Sequence, residues 1–170
     1  DDHGLRVGHR LFRYKQMKVY FMRHGESEYN VRKIINCDKS VKVHLTEKGK
    51  KQILKTAQKL KNIKFDAIFS SEFVRAQESA ELTNRTLKTK LIFDSRLNEI
   101  NVGFEGKNYL EYRSAAIASG DRFNFKLKGR ESFKDVKSRL QDFLNSLKKK
   151  SYKNVLIVTH EYAVMLAKSI

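Results

Sequence analysis

This 170-residue sequence predicts an α/β fold with a mostly parallel central sheet flanked by helices on both faces. Short apolar runs alternate along the chain with segments of helical periodicity. Two of those runs, at opposite ends of the sequence, each deliver a histidine at the C-terminal tip: Val19–Met22 leads into His24, and Val155–Thr159 into His160. In an open parallel sheet that edge is where ligand sites form.

Strands are expected over Lys18–Met22, Ala67–Phe69, Lys90–Phe93 and Asn154–Thr159. Thr46 reads as the N-cap of a first helix whose Ile53, Ala57 and Leu60 recur on one face. Arg75 to Leu87 reads as a second. Ser132 opens a third with a capping-box pattern, Asp135 standing where Glu or Gln is usual. Phe133, Val136, Leu140, Phe143, Leu144 and Leu147 then trace one face, and Lys148–Lys150 suit a helix C-terminus. A last helix begins near Glu161 and is short by Ile170. The closing strand and helix usual in such a fold are expected to be missing from this sequence.

Lys and Arg total 36 against 19 acidic residues, a formal charge of +17. Nucleic acid, an acidic membrane or phosphorylated substrates would all suit that balance. The lysines are scattered through helical segments (Lys48, Lys50, Lys51, Lys55, Lys59, Lys61) with no nucleic-acid motif beside them, which favours a solvated surface over a nucleic-acid partner. No apolar stretch approaches the ~18 residues of a membrane span. Cys37 is the only cysteine, which excludes an intrachain disulfide and a thiolate zinc site and fits a reducing, cytoplasmic setting. Residues 1–16 are basic and irregular and read as a cloning remnant, a processed end or an extension, with a targeting segment as the alternative. Residues 17–170 are expected to form a single domain. The sequence sets no oligomeric state.

Arg23-His24-Gly25-Glu26 at a strand end admits a core histidine, a metal ligand or a nucleophile. No HxH or HExxH pattern accompanies it, so the metal reading lacks partners. Arg23 precedes the histidine, Gly25 lets the backbone turn, and His160 has matching placement. With Arg75 after a third strand, two arginines and two histidines describe a pocket for a phosphoryl group.

These residues resemble the histidine phosphatase superfamily, which includes phosphoglycerate mutases and the bisphosphatase acting on fructose 2,6-bisphosphate. The family's Arg-His-Gly-Glu run stands at Arg23–Glu26, with Asn30 following. Its Leu-Thr-x-x-Gly-x-x-Gln pattern is matched by Leu45, Thr46, Gly49 and Gln52. A Ser-Ser element continuing to Arg-Ala is matched by Ser70, Ser71, Arg75, Ala76, Ser79 and Ala80. Leu97, Glu99, Gly103, Glu105 and Gly106 match a later element, Gly129 with Glu131 and Ser132 match another loosely, and Val158-Thr159-His160 matches the second histidine.

The resemblance implies a phosphoglycerate mutase-like fold and a phosphohistidine mechanism without metal or cofactor. His24 is the implied nucleophile, its second ring nitrogen fixed by a backbone carbonyl, that of Gly25. Glu99 is the implied acid, a role contributing about 10²–10⁴-fold. Arg23, Arg75 and Asn30 would bind phosphate, and His160, if protonated when a dianion binds, would add a third charge. Two departures matter. His44 replaces a proline and reads as a surface-loop histidine. Glu161 stands where many relatives have glycine, and its carboxylate would repel substrate or raise the His160 pKa unless it points away. The expected activity is hydrolysis of phosphomonoesters, small-molecule or phosphoprotein. The alternative is a phosphoglycerate mutase: the mutase-like Glu-Arg-His-Tyr-Gly run is absent and only about sixty residues separate Glu99 from His160. A non-catalytic scaffold would be expected to lose His24 or Glu99, and both are present.

Overall fold

The computed structural model describes residues 17–170, so the expectation for residues 1–16 lies outside the described residues. Strands β1 (Lys18–Arg23), β2 (Ala67–Ser70), β3 (Lys90–Phe93) and β4 (Asn154–Thr159) form one sheet in the order β1-β4-β2-β3. All three pairings are parallel. β1 and β2 each run one residue beyond the predicted end.

The register places the chemistry. Arg23 pairs with Thr159, and Ser70 with Val158. The ladder continues one step further, His24 N–H donating to the Thr159 carbonyl and Ser71 N–H to that of Val158, each at 3.0 Å. His24, Ser71 and His160 therefore leave the sheet side by side at its C-terminal edge.

β2 is wholly buried, and β4 is buried beyond Asn154, as expected of central strands covered on both faces. Ile68, Leu156 and Val158 turn to one face and pack with Ile53 and Ala80. These come from helices α2 (Glu47–Leu60) and α3 (Val74–Leu87). Ala67, Phe69, Val155 and Ile157 turn to the other and pack with Leu140, Phe143 and Leu147 of α5 (Phe133–Lys148). Helices thus cover both faces, as the sequence predicts.

Thr46 caps α2 by accepting from Gly49 N–H at 3.0 Å. Ser132 and Asp135 form a reciprocal capping box on α5. The last helix, α6, spans Glu161–Ala167. Two helices escape the sequence reading. One is α1 (Glu28–Arg32), a single capped turn closing on Lys33 at φ 56°. The other is α4 (Tyr109–Ala118), which buries Tyr112 and Ala116 while Leu110 and Ile117 stay exposed, so no apolar stripe marks it. Beyond the strand tips, Cys37, Ile100, Val102, Tyr112, Phe133 and Leu166 close a further apolar cluster.

Gly49 and Gly25 let α2 approach the turn after β1. A Cβ on Gly49 would lie 2.1 Å from the Glu26 carbonyl oxygen, and one on Gly25 would lie 2.5 Å from that of Gly49. We expect Gly49→Ala to lower stability by about 1–3 kcal/mol, the backbone clash outweighing alanine's better helix propensity. A urea midpoint equal to that of the parent protein would contradict this close approach.

Candidate active site

His24 is buried at the tip of β1, 7% exposed. Its Nδ1 lies 2.7 Å from the Gly25 carbonyl, which only accepts, so the proton resides on Nδ1. Nε2 then carries the lone pair and accepts from Arg75 Nε at 3.1 Å. The turn is held by Gly25 N–H donating to Ser79 Oγ at 3.1 Å, a hydroxyl that itself donates to the Arg75 carbonyl. Burial, then the Arg75 charge, lowers the His24 pKa to about 3, so the ring is neutral near pH 7.

Arg75, on the first turn of α3, is 4% exposed. Besides His24, it donates through Nη1 to Asn36 Oδ1 and through Nη2 to the Asn36 carbonyl at 3.2 Å and to His160 Nδ1 at 3.1 Å. Asn36 was not anticipated. It is itself anchored by Glu105, whose carboxylate accepts from the Asn36 amide and from the Cys37 and Asp38 N–H groups. Glu105 was visible as part of a motif; that it holds the loop presenting Asn36 required the fold.

His160 is fully buried beside His24, ring centroids 5.1 Å apart. Since Arg75 can only donate, His160 Nδ1 accepts, and Nε2 donates to Ser71 Oγ at 2.8 Å. Ser71 passes its own proton to Asn98 Oδ1 at 3.0 Å. Burial and the neighbouring Arg75 hold the His160 pKa well below its ordinary value. The third positive charge considered from the sequence is therefore not held in this structure: the ring is neutral, an acceptor on one side and a donor on the other.

Glu99 follows the 3-10 turn Ser95–Leu97. Its Oε1 accepts from Ile100 N–H at 3.0 Å, while Oε2 lies 3.9 Å from Arg75 Nη2 and 3.7 Å from His160 Nδ1. Burial raises its pKa against the opposing pull of Arg75. The segment is fastened by Arg139, another residue the sequence reading missed. Its guanidinium donates to the carbonyls of Arg96, Asn98 and Glu99 and pairs with Glu131 at 2.8 Å.

Arg23 and Asn30 both line the cavity with His24. Asn30 Oδ1 accepts from Ser27 in the α1 capping box, which turns the amide's other end to donation. Arg23 pairs with Glu161 at 3.0 Å. Turned to Arg23, the Glu161 carboxylate does not raise the His160 pKa, which burial and then Arg75 lower; of the alternatives read from the sequence, this matches a side chain directed away from His160. His44 sits on the surface against Glu78, at 2.7 Å, as its loop position suggested. The cavity encloses about 590 Å³ and extends from His24, Arg75 and Glu99 to Tyr109, Tyr112 and Tyr162. Tyr109 and Tyr112 had no sequence signal, since α4 was not read; Tyr162 lies on α6, and only the fold brings it beside them.

Because both histidines are kept neutral by burial, the unfolded chain binds protons that the folded one refuses as pH falls below ~6.5. Their contribution to stability is full above that pH and lost progressively toward the folded values, about 3 for His24. Each histidine should add up to ~1.4 kcal/mol per pH unit to the slope of unfolding free energy. Urea titrations between pH ~6.5 and ~4.5, above the ordinary carboxylate range, should give a shallower slope for His24→Asn. Equal slopes would show that His24 is not the buried neutral base described.

The model of the histidine phosphatase superfamily (branch 1) matches residues 19–168. A protein of Hydrogenobacter thermophilus named "Putative phosphoserine phosphatase 2" is 32% identical over 149 residues, 84% of this chain and 72% of its own length. A protein of Escherichia coli named "Probable phosphoglycerate mutase GpmB" is 33% identical over 95 residues, 56% of this chain but only 43% of its own length. Among solved structures, Bacillus stearothermophilus YhfR superposes with a TM-score of 0.79 at 28% identity, covering 89% of this chain and 77% of that one. With the match running from β1 through α6 and enclosing both histidines, the chain belongs to the histidine phosphatase superfamily.

Proposed function

We propose that the protein hydrolyses phosphomonoesters through a phosphohistidine on His24, using guanidinium groups and no metal or cofactor to neutralise the phosphoryl oxygens. The observation that carries this reading is the Nδ1–H···O=C bond from His24 to Gly25, which leaves the Nε2 lone pair facing the cavity beside Arg75 and Glu99. In the structure that lone pair accepts from Arg75. A bound phosphoryl group draws the Arg75 donors onto its oxygens and releases Nε2 to attack phosphorus. The P–O bond to the alcohol breaks as the N–P bond forms, and Glu99 Oε2 gives the leaving oxygen its proton. Water then enters, Glu99 takes its proton back, the N–P bond breaks and phosphate departs. Arg23 and Asn30 supply further donors, and His160 orients Arg75.

A mutase would follow the same first half and return the phosphoryl group to a second hydroxyl. The name of the Escherichia coli relative favours that second reading. The match to it covers less than half of that protein. The substrate's alcohol is either small or part of a phosphoprotein.

His24→Ala should abolish turnover and leave no acid-labile, base-stable phosphate on the protein after a rapid quench. Label persisting in the variant would exclude His24 as nucleophile. Arg75→Ala should weaken vanadate binding by about 2–5 kcal/mol, the range for truncating one partner of a buried charged pair. A chelator should change neither result, and inhibition relieved by one added metal would overturn the metal-free mechanism.

Glu99→Gln should slow esters of poor leaving groups far more than an activated aryl phosphate, whose departing oxygen hardly needs a proton. The high Glu99 pKa places the alkaline limb of its activity above the ordinary carboxylate range. Comparable losses for both ester types would remove Glu99 from the acid role. Formation of 2-phosphoglycerate from 3-phosphoglycerate, primed by the bisphosphate, faster than any ester hydrolysis would make the mutase reading correct.

A further inference from the structure

We infer that Glu161 is a specificity-determining residue which, within the phosphatase reading above, restricts the substrate to phosphomonoesters of uncharged, largely apolar alcohols by disfavouring a second anionic group. Glu161 opens α6 directly after His160, lines the cavity with Arg23 and His24, and keeps its carboxylate 65% exposed at the mouth. Its partner is Arg23, at 3.0 Å. When Arg23 turns to the phosphoryl oxygens, the carboxylate is left facing the rest of the substrate with its counter-charge withdrawn.

The remainder of the cavity has little to offer an anion. Its walls include Ile34, Ile35, Leu110, Tyr109, Tyr112 and Tyr162. Arg75 is taken up by the phosphoryl group and its Asn36 anchor, and the remaining cation among the described lining residues is Lys33, exposed at the end of α1. The tyrosines instead present apolar ring surface and uncharged hydroxyls. Those of Tyr109 and Tyr162 bond each other at 2.9 Å. The buried hydroxyl of Tyr112 has no partner among the described residues, and a neutral polar group on the alcohol would satisfy it. A cavity of about 590 Å³ holds a ring-sized alcohol alongside the phosphoryl group.

The test compares kcat/KM for phenyl phosphate and 3-phosphoglycerate in the parent protein, Glu161→Gln and Glu161→Lys. The parent should prefer the phenyl ester. Removing the carboxylate frees Arg23 for both substrates, so the readout is their ratio: it should shift about three- to tenfold toward 3-phosphoglycerate in Glu161→Gln, as expected of one charge several ångströms away near a surface, and further in Glu161→Lys. Raising the salt concentration should shrink the parent's preference, because an exposed carboxylate is screened. A parent preference for 3-phosphoglycerate, or a ratio unmoved in both variants while phenyl phosphate is still hydrolysed, would overturn this inference alone. Hydrolysis of neither ester, with no phosphate trapped on His24, would overturn the phosphatase reading and this inference with it.

Discussion

A buried guanidinium organises this molecule. Arg75 is 4% exposed, and taking its charge out of water costs several kcal/mol unless its donors are met. Here they are met by His24 Nε2, His160 Nδ1 and both acceptors of Asn36. All four of those acceptors are uncharged, so the charge is solvated by dipoles and not cancelled by a close carboxylate. The nearest carboxylate oxygen, on Glu99, stands off at 3.9 Å. An arginine held that way keeps its positive field for an incoming anion, where a tight ion pair would have spent it.

The protonation states around it follow from that placement. Burial disfavours the charged form of both histidines, and the fixed cation they face opposes protonation further, which is why both pKa values fall. For His24 this keeps a nucleophilic lone pair present at neutral pH. Glu99 moves the other way, because burial outweighs the attraction of Arg75, and a raised pKa is the direction that suits a general acid. A base with a depressed pKa and an acid with a raised one, both beside the same arginine, arise from burial acting on groups of opposite charge type.

How much of this the sequence discloses depends on whether the interaction is local. The strands and the capped helices α2 and α5 are legible because periodicity and capping residues lie within a few positions of each other. The two histidines are legible because each follows an apolar run. Asn36 is not, since its partner is 39 residues away and its anchor Glu105 is 69 residues away, in irregular segments with no period to read. Arg139 looks like a solvated residue on α5 until the fold carries its guanidinium to three carbonyls around Glu99. Tyr109 and Tyr112 of the tyrosine wall depend on α4, whose exposed Leu110 and Ile117 erase the stripe that would have announced it. Tyr162 comes from the legible α6 and joins them only through the fold.

Motif residues whose spacing was legible turn out to act through backbone geometry. Thr46 lines no cavity with His24, and Gln52 meets it only across a smaller adjoining cleft; Gln52 Oε1 accepts from Glu26 N–H at 3.0 Å, and Thr46 donates to the Glu26 carboxylate at 2.9 Å. Gly49, between them, admits the Glu26 carbonyl where any side chain would collide. This clamp and the Ser79 hydroxyl on Gly25 N–H fix the peptide whose carbonyl holds the His24 proton. The tautomer of His24 is thus set by a chain of contacts running from α2 and α3 into one turn. A rigid turn matters because in-line attack tolerates little misalignment, and an ångström of drift at Nε2 costs on the order of a hundredfold in rate. Arg23 differs: half-exposed and paired with Glu161 at the mouth, it has room to swing as a whole side chain, whereas the buried Arg75 has room only to exchange hydrogen-bond partners in place.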